Sequence, residues 1–353
     1  MKNFWICFFL LCAPYAVSAQ NSATKVTVSR WPGDREAAVS LTFDDGIDSD
    51  LDHVGPILKK HHLQGTFFVN TGREPWKQRK AEWKRLAEEG NEIGNHTVNH
   101  PCLLTEITPH SQDYTPERME SEIRDAANDI TQFLNLRRGL TFAYPCGNMS
   151  FGKPGDEAKN SALFMDYVAK YHFGARSVGA GGPEDPDQLN VLDIGTLPST
   201  AGKDFLALVD MAEPAIRQNG WGTYCFHGVG GDWLAITPEA LDELAGYLEK
   251  HSEIWTATFG DVLRYTQERR AAVVQASGNS ADSVDLSLQW PMNPQIYDLP
   301  LTLKIEVPAG WTAPTAIGDG KPLRPRVLSQ KNETVILVDV PPQTTRVRVA
   351  AGR

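Results

Sequence analysis

From about Ala37 to Gln267, short apolar runs alternate with longer amphipathic stretches. Ala38 to Phe43, Gly65 to Val69, Leu140 to Tyr144, Phe173 to Val178 and Trp221 to Phe226 are runs of apolar and β-branched residues bounded by turn formers, and Asn91 to Gly94 leads into another. Runs of that length and composition predict strands. Between them, Leu51 to His61, Trp76 to Glu89, Arg118 to Leu134, Asp204 to Gln218 and Pro238 to Lys250 carry apolar residues at helical spacing. Thr115 stands where an N-cap is expected, and Gly90 breaks the helix before it. Alternation of this kind predicts parallel strands with helices outside, about seven units in all, as a barrel or a strongly wound sheet.

The pattern changes near Arg270. Residues 271–282 are small and polar and read as a linker. Val284 to Trp290, Leu301 to Val307, Val335 to Val340 and Thr345 to Val349 then alternate with a period of two, separated by prolines and glycines. This predicts a small all-β, sandwich-like domain over 283–353.

The first residues follow a different logic. Lys2, the apolar Phe4 to Cys12 and the small Val17-Ser18-Ala19 have the layout of a secretory signal peptide over 1–19, cleaved after Ala19. The apolar run falls short of the ~20 residues that a membrane span needs, and Leu11 stands where a lipid-anchor signal before Cys12 would need a small residue. No later stretch is long and apolar enough to cross a bilayer. The expectation is a protein exported to a periplasmic or extracellular space, with 20–270 as the barrel. Cleavage removes Cys7 and Cys12 and leaves Cys102, Cys146 and Cys225, too few for a disulfide scaffold.

Composition narrows the partners only slightly. Hydrophobic and charged fractions of 41% and 22% are those of a globular protein, and the net charge of -10 is spread along the chain. It disfavours a nucleic-acid surface, which needs a basic face.

The chemistry-bearing residues sit at predicted strand ends. Asp44 and Asp45 end the apolar run Leu41 to Phe43, and Gly46 follows. In a parallel α/β barrel the loops after the strands build the active site. His96 and His100, in GNHTVNHP, are four apart, a spacing that a helical turn would put on one face. Two imidazoles and a carboxylate suit a divalent cation such as zinc. Taken singly, a His pair or an Asp pair is more often structural; their shared position after neighbouring strands favours a site.

The stretches TFDDG, GTFFV, EWKRLAEEGNEIGNHTVNHP, FAYPCG, YCFHG and IWTATFGDVLRY, in this order, resemble the polysaccharide deacetylases with a NodB-homology domain, over roughly Ser40 to Gln267. The resemblance implies a distorted (β/α) barrel, agreeing with the alternation. It implies a metal triad of Asp45, His96 and His100, and Asp44 as the base that deprotonates the attacking water. His227 matches the general acid, and the backbone N–H of Cys146 the oxyanion donor. Tyr144, Pro145 and Trp233 are assigned to substrate binding; Trp31 and Trp76 are further aromatic candidates, each read first as packing.

Two positions depart from the family pattern. Ala143 stands where the family often has an arginine that orients the catalytic aspartate, and Arg176, near another strand end, is the candidate replacement. Cys146 stands where the family usually has an aromatic residue. The cysteines are read as buried thiols, with a Cys146–Cys225 disulfide as the alternative. The implied function is metal-dependent hydrolysis of N-acetyl or O-acetyl groups on a carbohydrate. The alternatives are an acetylxylan-type esterase and a carbohydrate-binding module with a decayed site, the latter supported by Ala143 alone. Trp290, Tyr297 and Trp311 in the C-terminal segment are read as core packing before glycan stacking.

Overall fold

A computed structural model of the chain describes residues 25–103, 106–179, 181–280, 282–329 and 333–352. The leader expected at 1–19 lies outside them. After a short β1 (Val26–Val28), the strands β2 (Ala37–Asp45), β3 (Thr66–Val69), β4 (Glu92–Asn95), β5 (Leu140–Ala143), β6 (His172–Arg176), β7 (Trp221–Phe226) and β8 (Ile254–Thr256) follow in chain order. Strands β2 to β8 form one seven-stranded sheet in the order β6-β5-β4-β3-β2-β7, with β8 also paired to β2. Every pairing in it is parallel.

All nine positions of β2 are buried, as a parallel strand covered on both faces requires. Val39, Leu41 and Phe43 pack into a core with Leu58, Trp83, Leu208 and Leu244 from the surrounding helices. The intervening Ser40 and Thr42 are polar but satisfied: Trp221 Nε1 donates to Ser40 Oγ, and Thr42 Oγ1 donates to the Tyr224 carbonyl. Strand β3 pairs with the late part of β2 (Thr42 to Asp45) and β8 with its start (Ala37 to Val39). Because β7 runs along Ala38 to Phe43, β3 and β8 share the other edge.

The sheet is a half-barrel, and its gap between β6 and β7 is spanned by irregular chain. Val191 and Ile194 bond to Ala175 and Ser177 on one side, and Leu197 N donates to the Thr223 carbonyl on the other. The strand–helix alternation read from the sequence is therefore the architecture found.

Among the described residues, eight α-helices connect the strands: α1 (Gly55–Lys60), α2 (Glu74–Gln78), α3 (Lys80–Glu88), α4 (Pro116–Leu134), α5 (Glu157–Tyr171), α6 (Phe205–Gln218), α7 (Pro238–Lys250) and α8 (Phe259–Ala271). Side chains of Thr115, Asp204, Thr237 and Thr258 cap α4, α6, α7 and α8 by accepting from the backbone N–H three residues on. The single helix expected over Trp76 to Glu89 is two, α2 and α3, parted at Arg79 (φ -106°, ψ 31°). The Arg79 guanidinium binds Asp48, Asp52 and Glu82, which secures the break.

Beyond α8 the chain forms β9 (Val273–Ser280), β10 (Ser283–Gln289), β11 (Leu301–Pro308), β12 (Thr315–Gly318), β13 (Lys321–Leu323), β14 (Pro325–Ser329), β15 (Glu333–Val340) and β16 (Arg346–Ala350). They make two antiparallel sheets, β1-β11-β15-β14 and β13-β12-β16-β10-β9. Alternate residues from both, among them Leu286, Leu303, Ile305, Ile336, Val338 and Val347, share one core. The stretch read as a linker is mostly strand β9, paired along β10. Seven of its eight positions are exposed, so half of its residues are polar and no apolar alternation marks the strand. Strand β1 also pairs with β11, Val26 opposite Ile305, so the N-terminal strand joins a C-terminal sheet. Trp311 lies in the sandwich core, and Trp290 Nε1 donates to the Thr344 carbonyl at 2.6 Å.

One carboxylate ties the barrel floor to its last helix. Glu92, at the start of β4, accepts from Thr66 Oγ1 on β3, Thr141 Oγ1 on β5 and the Gly260 N–H of α8, at 2.9, 2.7 and 2.7 Å. Glu92→Ala strands these donors and is expected to lower the unfolding free energy by about 1–3 kcal/mol, read by urea denaturation. An unchanged midpoint would show that the network contributes nothing net.

Candidate active site

The carboxyl ends of β2, β4, β6 and β7 converge on one cavity of about 720 Å³, whose lining includes Asp44, Asp45, His96, His100 and His227. Asp44 and Asp45 are the last two residues of β2 rather than the start of a loop. Strand alternation would send them to opposite faces. Asp45, however, has φ 79° and Gly46 φ 62°. This left-handed turn brings both carboxylates to the same cavity. A Cβ on Gly46 would lie 3.0 Å from the Val69 Cβ, so glycine is required by space as well as by backbone angle. Asp50 closes the turn by accepting from the Ile47 N–H at 3.0 Å. Burial, with Asp45 and Asp44 nearby, holds the Asp50 carboxyl well above the usual carboxylate range.

His96 and His100 do come together, with ring centroids 4.8 Å apart, but not on the helical turn that their spacing suggested. Residues 96–100 are irregular, and Thr97 and His100 have φ 69° and 57°. The loop is held from three sides. Asn70 Nδ2 donates to the His96 carbonyl, Asn95 Oδ1 accepts from the Thr97 N–H, and Glu122 on α4 accepts from both the backbone and the side chain of Asn99. These side-chain contacts, which cannot be inferred from residue spacing, replace the helix.

The three residues form a preorganised donor set. Ligand atoms of Asp45, His96 and His100 all lie within 4.8 Å of one another. His96 Nδ1 donates to the Ala143 carbonyl at 2.7 Å, which fixes the tautomer with Nε2 as a free lone pair. His96 Nε2 and His100 Nε2 face Asp45 Oδ1 at 3.9 and 3.5 Å. Asp45 Oδ1 is buried and has no hydrogen-bond partner among the described residues. Burial pushes both imidazoles down to about 4, against the pull of Asp44, and Arg73 adds to the effect at His100. Two neutral imidazoles facing a buried carboxylate oxygen without a hydrogen-bond partner form a donor set that fits a divalent metal.

Asp44 has a different partner. Burial alone would raise its carboxyl, but the Arg176 guanidinium, with His96 and His227 further off, outweighs that and holds it well below the usual carboxylate range. Arg176 Nη2 donates to Asp44 Oδ1, and Cys225 Sγ lies 3.4 Å from Oδ2. Arg176 is almost wholly buried, and its guanidinium carbon sits 5.1 Å from the Phe68 ring centroid. In the β5–β6 register it is paired with Ala143. The guanidinium missing at Ala143 is thus supplied from the next strand. His227, Cys225 and Asp44 also bring side-chain polar atoms within 4.8 Å of one another.

Other expected residues divide. Cys146, Gly147 and Trp233 line the cavity; Tyr144 and Pro145 do not. Tyr144 is buried among Phe142 and Phe164, because β5 ends before it and its side chain turns outward to α5. Trp31 and Trp76 are fully buried. Of the cysteines expected as buried thiols only Cys225 is one, and the alternative Cys146–Cys225 bond is not found: Cys146 is bonded to Cys102, with Cα atoms 6.0 Å apart, because the two loops meet there. Burial pushes the Cys225 thiol above its ordinary value, although Arg176 opposes the shift. The cavity also takes in Arg73 and Glu106, which no motif spacing had indicated.

Residues 32–159 match the family model described as polysaccharide deacetylase. These residues thus match a polysaccharide deacetylase domain. Over 323 residues it is 26% identical to a gellan lyase of Bacillus sp, which is 84% of this chain and 12% of that protein. Over 111 residues it is 34% identical to the peptidoglycan-N-acetylmuramic acid deacetylase PdaA of Bacillus subtilis, 31% of this chain and 41% of that protein. The chain thus spans less than half the length of either relative. The solved structure of Bacillus subtilis PdaA, a family 4 carbohydrate esterase, aligns with a TM-score of 0.41 at 19% identity, covering 64% of this chain and 80% of that one.

The disulfide is directly checkable. Peptide mapping without reduction should recover the Cys102 and Cys146 peptides joined and Cys225 alkylated only after unfolding. A Cys146–Cys225 linked pair would contradict the structure. Since the bond closes 44 residues, the Cys102→Ser/Cys146→Ser double variant should lose about 2–4 kcal/mol in a denaturant titration.

Proposed function

We propose that the protein is an exported, metal-dependent carbohydrate deacetylase that hydrolyses N-acetyl or O-acetyl groups of a poly- or oligosaccharide. The observation that carries this reading is the pairing of two sets on one floor: Asp45 with two neutral imidazoles, and beside them Asp44 held ionised by Arg176. Asp45, His96 and His100 would hold the divalent cation, zinc by the softness of two imidazoles. When bound, such a cation acidifies water and polarises an acetyl carbonyl.

The chain's own residues supply the rest. Asp44 takes the proton of the attacking water; Arg176 and the Cys225 S–H fix its two oxygens, so it is aimed before substrate arrives. Arg176 therefore acts through Asp44 as an orienting residue. His227, whose ring nitrogen lies within reach of the same carboxylate, donates a proton to the leaving nitrogen or oxygen. The backbone N–H of Cys146 is left to serve the oxyanion: the local turn uses the Gly147 and Asn148 N–H groups, bonded to the Tyr144 and Pro145 carbonyls, and neither bond engages Cys146. The disulfide to Cys102 fixes that turn. A disulfide also suits an oxidising, extracytoplasmic compartment, which supports export. Among the described residues no helix is long and apolar enough to cross a membrane.

An acetylxylan-type esterase would use the same apparatus on an ester. A binding module with a decayed site loses its only support, because Arg176 makes the contact that Ala143 cannot. Acetate release from acetylated glucosamine oligomers, peptidoglycan and acetylated xylan tests the reading. Turnover of at least one is expected, with Asp44→Asn lowering kcat by about 10²–10⁴-fold. Bound metal without turnover of any acetylated glycan would favour the binding module.

A further inference from the structure

The cavity wall carries a cation that the deacetylation chemistry leaves without a task. Arg73 follows β3 and lines the cavity with its side chain half-buried. An arginine offers five donor hydrogens in a fixed fork. Among the described residues the Arg73 guanidinium makes no hydrogen bond. The nearest acid oxygen is Asp45 Oδ1 at 3.8 Å, beyond hydrogen-bonding range. Glu106, the other charged side chain of this wall, forms no ion pair with it.

The guanidinium is nevertheless positioned. Its carbon lies 5.2 Å from the Trp233 ring centroid. Such stacking occupies the face of the guanidinium and leaves its N–H edge for an acceptor. The neighbouring wall offers Ile107 and the exposed Val178 and Leu234, surfaces against which a sugar ring can pack beside the guanidinium.

We propose that Arg73 selects the substrate by pairing with a carboxylate carried on or beside the acetyl-bearing sugar, so that the glycan taken is anionic. The proposal rests on the deacetylase reading of the same cavity. A carboxylate is the group that the guanidinium fork matches bidentately, whereas sugar hydroxyls offer single, uncharged acceptors. The chain as a whole carries a charge of -10, so an anionic glycan gains nothing from long-range attraction and has to be recognised locally. Two sugar chemistries present such a group: the C5 carboxylate of a uronic acid and the lactyl ether carboxylate of a muramic acid.

Calorimetric binding to the full-length Asp44→Asn protein tests this, with and without Arg73→Gln or Arg73→Lys. The probes are acetylated uronate oligomers, glycan strands containing N-acetylmuramic acid, neutral chitin oligomers and acetylated xylo-oligosaccharides. One anionic probe should bind about tenfold or more tightly than the neutral ones. That ratio should collapse about tenfold or more in Arg73→Gln and recover in part in Arg73→Lys, and which anionic probe responds identifies the carboxylate. With active protein, the same ratio should fall through KM rather than kcat. Equal affinity for anionic and neutral probes, or a ratio that Arg73→Gln leaves unchanged, overturns the proposal. If neutral acetylated glycans are turned over without any anionic preference, it fails alone. If the preference is present but no probe releases acetate, the deacetylase reading fails and the carboxylate site stands.

Discussion

Asp44 and Asp45 bring two adjacent negative charges to a place largely shielded from water, with relative exposures of 5% and 2%. Such a pair is tolerated only if each carboxylate has its own positive counterpart. The fold supplies a guanidinium for Asp44 and, for Asp45, two neutral imidazoles that would share a cation with it. Arg176 comes from β6, four strands away in the sheet order, and meets Asp44 because the sheet curls. The imidazoles come from the loop after β4 and face Asp45. Small residues keep the route of the guanidinium clear: a Cβ on Gly94 would strike the Phe68 ring at 2.5 Å, and Phe68 is the ring beneath Arg176. Ala143 leaves room where Arg176 lies alongside in register.

The arrangement gives the two acids unlike character although they are neighbours in sequence. A single left-handed residue, Asp45, puts both on one floor, and the partner on each side decides the role. Asp44 is fully engaged, by Arg176 and Cys225. Asp45 Oδ1 is left without a hydrogen bond and faces the His96 Nε2 lone pair, which cannot donate to it. Under the proposed function, one carboxylate would take a proton and the other hold a cation. The second sphere is as specific as the first. Asn70, Asn95 and Glu122 hold an irregular loop in place, and the Cys102–Cys146 bond ties that loop's far end to the turn after β5.

Much of this was legible in the chain. Strands buried on both faces write themselves as apolar runs, and the cap Thr115 stands where its helix begins. The ordered motifs carried the site, since Asp44, Asp45, His96, His100 and His227 all lie at strand ends. What escaped depended on the third dimension. Residue spacing alone could not show that Thr97 and His100 adopt left-handed angles in place of a helical turn. The helix α5 was missed because its buried residues, Phe164 and Val168 among them, follow a Gly- and Pro-rich approach that reads as loop. Strand β9 is exposed along most of its length and lacks an apolar signature. Cys102 pairs with Cys146 across 44 residues because two loops meet above the barrel, a meeting that no local pattern records. Arg73 belongs to no motif and acquires significance only by where it points.

The central claim is the division of labour between the adjacent acids. Calorimetric zinc titration of metal-stripped Asp44→Asn and Asp45→Asn proteins, beside the unaltered chain, tests it most directly. Loss of a ligating carboxylate should weaken zinc binding by more than the roughly 10–100-fold typical of changes around the ligands, whereas Asp44→Asn should stay within that range. Equal weakening by the two substitutions, or a larger loss in Asp44→Asn, would contradict the account.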